Sequence, residues 1–228
     1  MPQYENMVQG RFLRRPNRFI AHVEIDGKEE ICHVKNTGRC RELLTPDAVV
    51  WCEKSKNPER KTKYSLIAVQ KGARCINMDS QIPNHVAEEW ILSGGLGFVP
   101  SVLKREQFYG KSRFDFYLED EKGQKGFLEV KGVTLEMENA CYFPDAPTQR
   151  GARHIEELTH AVEQGYRAFL LFVVQMEDIS FVSPNEKTDP AFAAALRTAA
   201  KNGVEIHAVE CHITPDTIKA AAPLQVRL

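Results

Sequence analysis

The sequence predicts an α+β to α/β chain in two parts: a small N-terminal OB-like β-barrel over residues 1–80 and an α/β part over residues 81–228. Two observations predict this. The first eighty residues break into short β-rich runs separated by turn signals, the pattern of a Greek-key barrel. Near Pro83 the texture changes to helices alternating with strands. The charge divides at the same place. Residues 1–80 carry 15 Lys+Arg against 10 Asp+Glu, and residues 81–228 carry 15 against 21, so a net charge of −1 conceals a basic part and an acidic one. Such asymmetry points to a basic binding face beside an acidic site, against the plainer reading of scattered surface charge.

Each element has its own signal. Phe19–Ile25 and Glu29–Val34 are strands joined through Asp26-Gly27, a hairpin turn. Arg39–Leu44 reads as a short helix stopped at Thr45-Pro46. Val49–Cys52, Tyr64–Gln70 and Arg74–Met78 complete the β-rich part. Beyond Pro83-Asn84, a helix runs over Ala87–Ser93 and ends at Gly94-Gly95, and Val102–Phe108 is a strand. Arg113–Leu118 alternates, with Phe114, Phe116 and Leu118 on one face and Arg113, Asp115 and Tyr117 on the other. Gly126–Leu135 follows as a strand. Arg150–Gln164 is helical, with Ile155, Leu158 and Val162 as its apolar stripe. Tyr166–Val174 is a strand buried on both faces. A helix over Asp189–Lys201 and a strand over Val204–Cys211 end the series.

Composition excludes several classes. At 43% hydrophobic and 27% charged, the chain is neither disordered nor a coiled-coil array. The longest apolar run, Ala168 to Val174, is too short to span a membrane, and the first residues hold no apolar signal core. None of the six cysteines has CxxC spacing, which argues against a zinc ribbon or a thioredoxin-type motif and fits a reducing cytoplasm.

The chemistry gathers around Asp115, Glu129 and Lys131. Glu129 and Lys131 lie two apart on one strand and share its face, while Leu128 and Val130 point to the other. If the strands pair as a hairpin, Asp115 joins them. Two carboxylates held close repel, and such a pair suits a hard divalent cation such as Mg2+. The plain alternative is a surface ion pair, and by spacing alone it is the commoner outcome.

The order of elements changes that balance. A helix, a β-meander carrying Asp115…Glu129-Val130-Lys131, then a helix and a buried strand resemble the PD-(D/E)XK nuclease core with its mixed central sheet. Glu89 matches the acidic residue that many such enzymes add from the preceding helix. Further motifs extend the likeness along nearly the whole chain. They are Arg14…Arg18-Phe19, Asn36-Thr37-Gly38, Ser55-x-Asn57-Pro58-x-Arg60-Lys61 and Pro83-Asn84…Glu89. Tyr109-Gly110…Ser112-Arg113-x-Asp115-Phe116, Glu129-Val130-Lys131-x-Val133-Thr134-Leu135 and Phe143-Pro144-Asp145-Ala146-x-Thr148-x-Arg150-Gly151…His154 complete the set. Together they resemble the sugar fermentation stimulation protein A family. Two details depart from its pattern: Arg39-Cys40 after Asn-Thr-Gly, where Ser or Ala then Met is usual, and Gly132, where Asn or Ser is usual.

The resemblance implies an OB-like domain, a PD-(D/E)XK-like domain, non-specific DNA binding and a regulatory role in maltose metabolism. It also implies Mg2+ or Mn2+ on Asp115 and Glu129, with the Val130 carbonyl as third ligand and Glu89 approaching. Arg14, Arg15 and Arg18 near the first turn, and Lys54, Lys56, Arg60, Lys61 and Lys63 in the 54–63 loop, form the expected nucleic-acid face. Thr148 is placed to cap the following helix. Arg150 and His154 read equally well as phosphate contacts beside the carboxylates or as structure, an Asp145–Arg150 ion pair and a core histidine. Two function classes fit the whole: a non-specific DNA-binding regulatory protein and a metal-dependent nuclease acting on DNA or RNA.

Overall fold

The computed structural model describes residues 3–36 and 38–228, so Thr37 of the Asn36-Thr37-Gly38 motif lies outside the described residues. Strands β1 (Met7–Arg14), β2 (Ile20–Ile25), β3 (Lys28–Val34), β4 (Val49–Lys54), β5 (Tyr64–Lys71) and β6 (Arg74–Asn77) form one sheet in the order β3-β2-β1-β4-β5-β6. A parallel pairing of β3 with β5, from Cys32↔Tyr64 to Val34↔Leu66, closes the first five strands into an OB-like barrel. Closure removes the exposed strand edges that so short a sheet would otherwise leave. The β2–β3 turn forms at Asp26 and Gly27, both at positive φ (51° and 74°), as a two-residue hairpin turn requires.

Two features of the barrel differ from the sequence reading. Arg39–Leu44 is a single turn, not a helix: Leu44 N donates to Cys40 O at 2.9 Å. Cys40 sits at φ 46°, a left-handed conformation that a helix does not propagate through. A segment this short also lacks the bonds to offset helix nucleation. Its buried Cys40, Leu43 and Leu44 still pack into the core. β1 had no strand signal, because only Phe12 of its eight residues is buried. It is a strand because β2 and β4 pair with it on either side.

The rest of the chain brings α1 (Pro83–Leu92), β7 (Val102–Tyr109), β8 (Ser112–Glu119), β9 (Lys125–Val133), β10 (Glu136–Met137), β11 (Ala140–Phe143) and α2 (Gln149–Glu163). Then come β12 (Arg167–Val174), β13 (Phe181–Pro184), α3 (Pro190–Lys201), β14 (Glu205–Ile213), β15 (Ile218–Pro223) and β16 (Gln225–Val226). The central sheet runs β15-β14-β12-β9-β8-β7. It is mixed: β12 is parallel to both β9 and β14, and the other pairs are antiparallel. Alternate residues of β12 serve two faces. Ala168, Leu170, Phe172 and Val174 pack with Ile155 and Leu158 of α2, while Phe169, Leu171 and Val173 pack with Val86 and Ile91 of α1. A small sheet, β10-β11-β13-β16, lies outside the central one.

Polar contacts tie barrel to central sheet. Tyr4 N donates to Asp216 O (2.7 Å), and Asn77 N donates to Gln175 O (3.0 Å). The Gln175 amide donates in return to the carbonyls of Asn77 and Asp79 (3.0 and 3.1 Å). Lys35 pairs with the buried Asp79 carboxylate at 2.8 Å. No helix among the described residues is long and apolar enough to cross a membrane.

Candidate metal centre and nucleic-acid interface

The expected sharing of faces holds on β9 and breaks on β8. Phe127 and Val133 belong with the α2 side and Leu128 and Val130 with the α1 side, so Glu129 and Lys131 face α2. On β8, Phe116 and Leu118 face α1. Phe114 should follow them. Instead it packs edge-on to His154 (6.0 Å between centroids) and beside Phe127 (5.6 Å) on the α2 side. The break coincides with one on the neighbouring strand. Pairing passes from Arg105↔Phe116 to Gln107↔Phe114 across Glu106, at φ 54°. The β8–β9 ladder likewise stops at Phe116↔Leu128.

Asp115 occupies this break. Its Oδ2 accepts from the Val130 backbone N–H at 2.7 Å, and its Oδ1 accepts from the Asn84 amide at 2.8 Å. Asp115 thus replaces the missing ladder bond with its side chain and is pinned from α1. Glu129 is held from the opposite helix. Its buried Oε1 accepts from Lys131 Nζ (2.6 Å) and from His154 Nδ1 (2.5 Å). Arg150 Nε lies 3.4 Å from His154 Nε2. A guanidinium has no acceptor, so Nε2 accepts, and the ring proton is on Nδ1 facing Glu129.

The two carboxylates are driven apart electrostatically. Burial, then the charge of Glu129, raises the Asp115 carboxyl to about 6, against the bonds from Val130 and Asn84. Burial also pushes Glu129 up, but Lys131 and His154 outweigh it and hold Glu129 below the usual carboxylate range. The result is a firmly ionised Glu129 beside a strained Asp115. Glu129 Oε2 is buried with no hydrogen-bond partner among the described residues. A buried carboxylate oxygen left bare is costly. A hard divalent cation would satisfy it and offset the repulsion with Asp115, so this donor set fits such an ion.

Glu89 does not join the centre. It lies exposed on α1, five residues beyond Asn84 and therefore on another helix face. Its neighbour Glu88 is bound by Arg105, with Arg105 Nε at 3.0 Å. Among the described residues no group of three His, Cys, Asp or Glu surrounds a common point. Asn84, which does reach Asp115, had only the Pro-Asn pair at a helix start as its sequence signal.

Thr148 caps α2, accepting from Gly151 N at 2.9 Å. Asp145 meets the barrel rather than Arg150: its Oδ2 accepts from Arg39 N at 3.1 Å. At Gly132 a Cβ would come 2.6 Å from Gln175 Oε1 and 2.8 Å from Pro83 Cγ. Close packing of α1 on β9 therefore accounts for the glycine there.

The 54–63 loop connects β4 to β5. Ser55 N donates to Lys63 O (2.8 Å) at its base. Lys56 pairs with Glu5, and Lys63 pairs with Glu30 (3.5 Å) while lying over the Tyr64 ring (5.0 Å). Lys54, Arg60 and Lys61 have no carboxylate partner among the described residues. At the β1–β2 turn, Arg14 is engaged by Glu29 (2.6 Å). Arg15 donates to the carbonyls of Arg18, Asn36, Gly38 and Arg39. It braces the loops, whereas Arg18 is exposed.

Two family models match the chain: an SfsA N-terminal OB domain over residues 13–78, and a sugar fermentation stimulation protein RE domain over residues 81–217. A sugar fermentation stimulation protein homolog of Desulfitobacterium hafniense (strain DSM 10664 / DCB-2) is 55% identical over 227 residues, covering 99% of this chain and 98% of the relative. One from Ruminiclostridium cellulolyticum is 52% identical over 226 residues, covering 99% and 100%. A solved structure described as Pyrococcus Furiosus SfsA in complex with Ca2+ superposes with a TM-score of 0.89 at 30% identity, over 99% of this chain and 98% of that one.

Proposed function

The chain belongs to the sugar fermentation stimulation protein family, and from that premise we propose that it binds DNA without sequence preference and hydrolyses phosphodiester bonds at a divalent-cation centre. The observation that carries this reading is the bare, buried Oε2 of Glu129 beside Asp115, with Lys131 at the same carboxylate. The Pyrococcus Furiosus relative described in complex with Ca2+ supports divalent-cation binding.

Asp115, Glu129 and the Val130 carbonyl would hold Mg2+ or Mn2+. When bound, such a cation activates water and neutralises charge on the phosphate. The chain's residues do the rest. Asn84 and the Val130 N–H fix Asp115 at the strand break, and His154 fixes Glu129. Lys131 keeps Glu129 ionised, and its partly exposed ammonium offers donors to a phosphate oxygen. Lys54, Arg60 and Lys61 neutralise backbone phosphates, which gives affinity without sequence reading. A regulatory role in maltose metabolism follows from the family resemblance alone.

A metal-titrated cleavage assay on duplex, single-stranded and branched DNA, and on RNA, tests the proposal. The wild type is expected to cleave DNA with Mg2+ or Mn2+. Asp115→Asn and Lys131→Ala should each abolish cleavage and keep DNA binding. No cleavage by the wild type, or full cleavage by both variants, would overturn the hydrolytic reading.

A further inference from the structure

A cleft of about 760 Å3 opens where the barrel meets the loop ahead of α2. Five arginines line it, Arg14, Arg15, Arg18, Arg39 and Arg41, and no Asp or Glu does. Two of the five are spent. Arg14 is held by Glu29 at 2.6 Å, and Arg15 by four backbone carbonyls at 2.7 to 3.0 Å. Arg18, Arg39 and Arg41 are exposed and have no carboxylate partner among the described residues. Three undischarged guanidinium groups in one cleft, with Leu44, Pro46 and Pro147 in its apolar lining, suit a ligand of alternating phosphates and flat apolar rings.

The cleft also leads somewhere. Gly38 lines both it and an adjoining cavity of about 180 Å3, and that second cavity reaches Gly132, the residue after Lys131. Gly132 is on the α1 face of β9, opposite Lys131, so cleft and cavity follow the seam between barrel and central sheet without entering the carboxylate centre. An unpaired strand presents phosphates and base faces together to such a lining, whereas a duplex keeps its base faces stacked inside.

We propose that this cleft is a single-strand site: the backbone of an unpaired stretch of DNA lies along Arg18, Arg39 and Arg41. The proposal rests on the DNA-binding reading above and adds the form of nucleic acid the seam selects. The 54–63 loop then supplies general affinity, and the seam distinguishes a strand or flap from a blunt duplex.

The test measures fluorescence anisotropy of the full chain with an oligothymidylate and with a blunt duplex of equal length, across a salt series. The Arg39→Ala/Arg41→Ala double variant should weaken the single strand about tenfold or more and leave the duplex within about twofold. It should also lower the single-strand salt slope by about 1.4, at about 0.7 per lost phosphate contact. Both side chains are exposed, and an unchanged Tm would show that the fold survives. The Arg60→Ala/Lys61→Ala variant should weaken both ligands alike. Equal losses for strand and duplex in the arginine variant, or no loss in either, would overturn the single-strand site while DNA binding stands. Failure of the wild type to bind either nucleic acid would overturn both readings.

Discussion

His154 and Glu129 are joined by a 2.5 Å hydrogen bond between α2 and β9, and that bond decides which oxygen of Glu129 is left bare. Lys131 and His154 both take Oε1. Oε2 is thereby left buried without a partner among the described residues, while Asp115, pinned to the Val130 N–H, feels the charge of Glu129. The acidic pair lies across a broken strand ladder, and each carboxylate has one partner on β9 and one on a helix.

His154 should therefore act as a positioning residue. Replacing it with Leu removes the donor and frees the Glu129 carboxylate to rotate. Mn2+ affinity, read by calorimetry, should fall by about tenfold, within the range for lost outer-shell partners of metal ligands. Asn places an amide donor near the same point, so His154→Asn should recover part of that affinity. An affinity unchanged in His154→Leu would show that Lys131 alone orients Glu129.

Asp115 can be tested through stability as well as chemistry. A cation binding only the folded state raises stability by about 2.7 kcal/mol at a hundredfold excess over its Kd. The wild type should show this as a rise in Tm on adding Mn2+, and Asp115→Asn should not. Without metal, the same substitution removes a carboxylate that burial and Glu129 have raised to about 6. Asp115→Asn should therefore be no less stable than the wild type at neutral pH in chelator. A large loss of metal-free stability would mean that the Asn84 and Val130 bonds outweigh the repulsion.

Much of this was legible in the residues, and the gaps have physical causes. The spacing of Glu129 and Lys131 carried the β9 side of the centre, because a regular strand obeys its period of two. Phe114 and Asp115 escaped the same rule because the β7–β8 pairing is interrupted there, opposite Glu106 at positive φ on another strand. The helix expected over Ala87–Ser93 starts earlier, at Pro83, which brings Asn84 onto it with Glu89, and its rotation about the axis is set by the packing of Val86 and Ile91 on the sheet. β1 and β15 have weak patterns of their own and exist through their neighbours. The commitment of Arg15 to four carbonyls is a tertiary fact that no motif carries.

Glu136 gives a pH-dependent clamp between barrel and small sheet. Its buried carboxylate accepts from Lys71 Nζ at 2.6 Å and from Asn139 N at 2.8 Å, with Arg74 at 3.6 Å. Burial pushes its pKa up, but these partners outweigh burial and hold it below the usual value. A lowered carboxylate stabilises the fold above its unfolded pKa, about 4.3, and loses that contribution as pH falls through the lower folded value. Glu136→Gln should cost about 2 kcal/mol at pH 7, the scale of a charged hydrogen bond. Denaturation across pH should show the two proteins converging below about pH 4. A constant difference over the whole range would assign the loss to packing instead of charge.

The final prediction separates general from local affinity for DNA. Arg60 and Lys61 sit in the loop between two barrel strands with no carboxylate partner among the described residues, so they are available to phosphate. Reversing both to Glu removes two contacts and adds repulsion, without touching a core position. Duplexes of different sequence should weaken to the same degree, because phosphate contacts carry no base information. The slope of log K against log salt should flatten by about 1.8 for duplex DNA, at about 0.9 per lost contact. Cleavage at saturating DNA should persist, since the carboxylate centre lies outside the barrel. Affinity unchanged by the reversal would move the binding face away from this loop, and a loss confined to one sequence would show that the protein reads bases.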